Sequence, residues 1–60
     1  MYYKKNQALK AAQRAHLNAR EGTRVIVELD YSQRVYFVHQ LDEYESTRYI
    51  CGTIVKTLTK

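Results

Sequence analysis

The chain has 60 residues, formal net charge +4, no proline, two glycines and one cysteine. That length allows one small domain, residues 1–60, in which about 60% of the unfolded surface is buried on folding. It excludes a membrane-crossing apolar run, a signal-peptide-like start and an internal disulfide, so the expectation is a cytoplasmic domain.

Residues 4–21 predict the one helix. Ala8, Ala11, Ala12, Ala15 and Ala19 are interleaved with Leu, Lys, Gln and Arg, nearly all strong helix formers, and Gly22 supplies a stop signal. At 100° per residue, Ala8, Ala12, Ala15 and Ala19 form one narrow stripe with Leu9 and His16 along its edge. Alanines let a helix approach a sheet closely, so this stripe is the expected buried face. The opposite side carries Asn6, Gln7, Lys10, Arg14 and Asn18, with Leu17 as the exception.

Charge is uneven along the chain. Residues 1–20 hold Lys4, Lys5, Lys10, Arg14 and Arg20 and no acid, giving +5, while residues 21–60 hold five bases and six acids, giving −1. The basicity belongs to the helix. Lys10, Arg14 and Asn18 follow at i, i+4 and i+8 with Gln7 beside them, and such side chains contact phosphates or base edges. Gln7, Lys10, Arg14 and Asn18, with Lys4 and Lys5, are therefore candidate nucleic-acid contacts.

Beyond Gly22, three runs rich in Val, Ile, Tyr, Phe and Thr read as strands over about 24–29, 35–41 and 48–58. Short polar connections separate them, which predicts an α+β fold: one N-terminal basic helix packed on a three-stranded antiparallel β-meander. Turns centred on Ser32 and on Tyr44-Glu45 set a register with three layers on the helix side: Leu29, Val35 and Ile54; Val27, Phe37 and Gly52; Val25, His39 and Ile50. In that register the ring of Phe37 lies over Gly52. The far side then reads Glu28, Tyr36 and Thr53; Ile26, Val38 and Cys51; Arg24, Gln40 and Tyr49. An apolar centre with a tyrosine and arginine edge is the composition of a partner surface, so Ile26, Val38, Cys51, Tyr36, Tyr49 and Arg24 are expected to mediate homodimerisation or protein docking.

The order helix, strand, strand, strand resembles the first four elements of double-stranded-RNA-binding domains, although their basic C-terminal helix has no counterpart here. No catalytic or metal motif is present. Cys51, His39 and His16 lack spaced companions, and the expected register sends Cys51 and His39 to opposite faces, with Cys51 a buried small hydrophobe and the two histidines at the helix–sheet interface. Asp42, Glu43 and Glu45 mark a solvated turn and Glu28 faces outward beside Tyr36, so no carboxylate pair is poised for acid–base work. The expected function is a non-enzymatic binding module with no cofactor, no metal and no small-molecule substrate. A protein partner or a second copy is the first expectation and nucleic acid, through the helix, the alternative.

Overall fold

A computed structural model describes all sixty residues. One helix, α1 (Lys5–Asn18), packs on a three-stranded antiparallel sheet of β1 (Arg24–Asp30), β2 (Val35–Leu41) and β3 (Thr53–Thr59), with a single 3₁₀ turn at Thr47–Tyr49. This is the expected α+β fold. The strand order, however, is β2-β1-β3, so β1 and not β2 is central and the sheet is not a meander. The third strand also starts later than expected, because residues 42–52 must carry the chain from one sheet edge to the other.

The helix runs as its alanines predict. Ala8 and Ala12 are completely buried, and with Val25 and Val27 of β1 they form the core, against which Leu9, Ala15, Tyr36, Val38, Val55 and Leu58 pack. Small side chains at this contact bring the helix close to the sheet, and the larger strand residues supply most of the apolar area. The helix stops at Asn18, short of Gly22: Ala19 is already extended, and Gly22 takes its positive φ in the following turn. The last carbonyls are met from a distance, with Lys60 Nζ donating to His16 O at 3.1 Å and to Leu17 O at 2.8 Å. A cation there also complements the negative end of the helix dipole.

The hairpin between β1 and β2 is closed by Asp30, whose Oδ1 accepts from the Ser32 hydroxyl at 2.6 Å and from the Ser32 and Gln33 amides. The Ser32 hydroxyl, helped by these two amides, holds the Asp30 carboxyl below its ordinary range. The stability it contributes is present above the unfolded carboxylate value and is lost as pH falls through the lowered one. Arg34, in the left-handed region at φ 56°, completes the turn.

This turn sets β1 against β2 as Val25↔Gln40, Ile26↔His39, Val27↔Val38, Glu28↔Phe37 and Leu29↔Tyr36. The expected register had been Val27 opposite Phe37, one residue away. Because strand side chains alternate, that slip exchanges the faces of β2. Tyr36 and Val38 face the helix, whereas Phe37 and His39 share the other face with Ile26 and Glu28. β3 pairs on the opposite side of β1, with Val25↔Leu58 and Val27↔Lys56, and an irregularity between Val27 and Glu28 makes Val55 an extra residue that joins the core. Ile54, expected in the core, is instead exposed. At the far edge, Tyr2 and Tyr36 exchange reciprocal backbone hydrogen bonds of 2.8 and 2.6 Å, so the N-terminal segment is tied to β2 just before the helix begins.

Close helix–sheet contact gives a direct test. Ala12→Leu should lower stability by about 1–3 kcal/mol through overpacking, whereas Leu17→Ala, at a position 72% exposed, should change it by less than about 0.5 kcal/mol, both read by urea denaturation.

Candidate functional site

The central strand is buried on both sides. Val25 and Val27 meet the helix, and Ile26, only 1% exposed, lies on the other face beneath the crossover formed by residues 42–52. Burial of both faces is what three consecutive β-branched residues, Val25-Ile26-Val27, are suited to.

Two polar residues of β1 flank Ile26 on this face and hold the crossover at its two ends. Arg24 donates through Nη2 to the Asp42 carbonyl at 2.9 Å and to the Glu45 carbonyl. Those carbonyls belong to a compact turn in which Asp42 Oδ1 accepts from the Tyr44 and Glu45 amides at 2.8 and 2.9 Å. At the other end, Glu28 Oε2 accepts from the Gly52 amide at 2.7 Å, while Glu28 Oε1 lies 2.7 Å from His39 Nε2. A carboxylate can only accept, so the imidazole presents its N–H. Glu28 is 8% exposed, and its two partners account for both oxygens. Its role is structural: the carboxylate replaces the water it has lost with one backbone and one side-chain donor.

The glycine at position 52 follows from this arrangement. A Cβ there would stand 2.4 Å from the Leu29 carbonyl oxygen and 2.7 Å from Glu28 Oε2. It is Glu28 and the β1 backbone, not the ring of Phe37, that Gly52 accommodates.

Each residue expected on an outer partner patch can now be placed, and they do not form one surface. Ile26 is buried under the crossover, Tyr36 and Val38 face the helix, and Arg24 is engaged with the crossover turn. Only Tyr49 and Cys51 are exposed, both on the crossover itself. Cys51 is thus neither buried nor on a strand. It sits beside Gly52 on the same side as His39, lining a cleft of about 430 Å³ with Glu28, Asp30, Tyr31, Ser32 and Thr53. His16 and His39 do not meet, since His16 Nε2 lies 3.3 Å from the Thr59 carbonyl on the helix side. Glu28, expected outward beside Tyr36, is on the opposite face from it. No group of three or more His, Cys, Asp or Glu side chains is arranged to hold a metal ion.

The helix row survives intact. Lys4, Lys5, Asn6, Gln7, Lys10, Arg14, Asn18 and Arg20 are all exposed. Asn18 Nδ2 donates to the Arg14 carbonyl at 3.1 Å, which fixes the amide at the end of the row. The one ion pair in the chain joins His39 to Glu28 on the far side of the sheet, so every lysine and arginine of the helix is without an acidic partner. The exposed acids Asp42, Glu43 and Glu45 lie at the start of the crossover, with the Glu43 side chain beside Gly22. The crossover thus holds three exposed acids and one exposed base, Arg48, whereas the helix row holds bases alone. No helix in it is long and apolar enough to cross a membrane.

Comparison with protein-family models, curated proteins and solved structures finds no match to this chain.

Two substitutions separate the parts of the anchor. Glu28→Ala leaves the Gly52 amide and the His39 ring without their acceptor and should cost about 1–3 kcal/mol. Gly52→Ala forces a carbon onto a backbone carbonyl that cannot move without breaking the sheet, and should cost more than Glu28→Ala in the same urea titration.

Proposed function

We propose that the protein is a non-enzymatic binding module that holds nucleic acid along the exposed face of α1. The observation that carries this reading is the unneutralised basic row: Lys10 and Arg14, with Lys4 and Lys5 at the helix start, are exposed and have no carboxylate within ion-pairing distance. Phosphate contacts from such a row provide affinity, and Gln7 and Asn18 at its ends are side chains able to reach base edges. The acidic crossover supports the reading from the other side, because it repels a polyanion from the opposite face and leaves one way to dock.

A protein partner is the second reading, on a different surface from the sheet face that the sequence suggested. Tyr44 and Tyr49 are 88% and 90% exposed on the crossover, and tyrosine gives large contact area at low entropic cost. This contact would be made through the acidic face and would be indifferent to the helix charges.

Salt separates the two readings. Binding of a short duplex or single-stranded oligonucleotide should weaken steeply between 50 and 200 mM salt, with a log–log slope of about −2 to −4 for a handful of phosphate contacts. Lys10→Glu combined with Arg14→Glu should abolish that binding while leaving the melting temperature within a few degrees, because both side chains point into solvent. Absence of salt-sensitive binding by the parent at low ionic strength would remove the nucleic-acid reading.

A further inference from the structure

The two edges of the sheet are not equivalent. On β2 the outward backbone groups of Tyr36, next to the hairpin, are taken by Tyr2. On β3 the helix meets the outer edge at one point, His16 Nε2 lying 3.3 Å from the Thr59 carbonyl, and the outward groups of Thr57 have no intramolecular partner. The Lys60 amide donates to the Thr23 carbonyl, so Lys60 faces inward, in line with β1, and alternation turns Leu58 inward and Thr57 and Thr59 outward. Thr57 is left with an outward N–H and an outward carbonyl that the chain does not pair. The strand has high β propensity, five of its seven residues, Thr53, Val55, Ile54, Thr57 and Thr59, being β-branched. The helix packs most heavily on β1 and β2 and least on β3.

We propose that a second copy of this chain docks here, β3 against β3 antiparallel, to form a continuous six-stranded sheet with its two-fold axis at Thr57. In this register the Thr57 N–H of each protomer donates to the Thr57 carbonyl of its partner. The one charge on the strand decides the register. Pairing centred on Lys56 would set two ammonium groups directly opposite each other, whereas centring on Thr57 places each Lys56 opposite a partner Leu58, whose half-buried side chain offers apolar surface for the lysine stem. Self-pairing also suits a domain in which only seven of sixty residues are buried, since closing an edge adds hydrogen bonds and buried area without requiring a larger core.

The two-fold of an antiparallel pair is perpendicular to the sheet, so both helices fall on one face and both acidic crossovers on the other. The dimer thereby doubles the basic surface proposed above to hold nucleic acid. That consequence rests on the functional reading, but the edge pairing does not.

The test is sedimentation equilibrium of the full chain from about 10 µM to 1 mM, with two variants. The parent should show a monomer–dimer equilibrium between 7.1 kDa and twice that mass. Thr57→Pro removes the outward N–H without touching the ladder to β1, and should weaken dimerisation by about tenfold or more while the monomer stays folded. Thr57→Lys retains the N–H, tolerates the exposed site and sets like charges across the two-fold, so it gives the same result if the proline variant fails to fold. A parent that remains monomeric at 1 mM, or a dimer that persists in Thr57→Lys, overturns the proposal. Oligonucleotide binding by a monomeric parent would overturn it while leaving the functional reading standing, and dimerisation without oligonucleotide binding would do the reverse.

Discussion

Everything in this small protein depends on β1 being buried on both faces. A three-stranded sheet with one helix ordinarily leaves its second face to water, and sixty residues are too few to add another layer of regular structure. The chain solves this by joining the two outer strands across the central one, so that the connection itself becomes the second layer. Backbone laid over a sheet needs partners for its polar groups. Arg24 and Glu28, two side chains along β1 on either side of Ile26, supply them at the two ends of the crossover. Ile26 is shielded between these anchors, of which Glu28 is itself buried and Arg24 half-buried.

The arrangement distributes charge as well as burial. Acidic residues collect in the crossover, where Arg24 meets backbone carbonyls and where Asp42 folds its own turn. Basic residues collect on the helix, where nothing neutralises them. The proposed docking of an anion along the helix would draw on this uneven distribution of charge. The buried Glu28 does not add to the acidic face, because its oxygens are committed to His39 and Gly52. The chemistry enclosed in the structure is thus spent on holding the fold, and the side chains left available are those of the helix row, the crossover tyrosines and the β3 edge.

The helix was legible in the sequence almost residue by residue, because its propensity and its alanine stripe are local properties. Strand existence was legible for the same reason. Strand order was not. Starting the third strand at residue 48 left only residues 42–47 as a connection, a hairpin length and too short to suggest a crossover, and β2, with Val35-Tyr36-Phe37-Val38, has as good an apolar run for the centre as Val25-Ile26-Val27. One clue was present in Glu28 and Arg24: polar residues at alternate positions of a strand whose neighbours are all apolar suggest a face with committed partners. The register error had a similar origin. Centring the first turn on Ser32 ignored the Asp30 side chain, which caps two amides and shifts the hairpin by one residue. That shift turned Tyr36 and Val38 of the expected patch toward the helix, while the crossover covered Ile26, engaged Arg24 and took up Tyr49 and Cys51. The basic row was unaffected, since a helix face does not depend on which strands lie beneath it.

The most direct test of this account is the pattern of interstrand nuclear Overhauser effects in the isotopically labelled chain. The account predicts contacts from β1 to both neighbours, with backbone proton pairs linking Val25 to Leu58 and Val27 to Lys56 as well as Val27 to Val38, and none linking β2 directly to β3. Backbone contacts between β2 and β3, with none between β1 and β3, would restore the meander and contradict it.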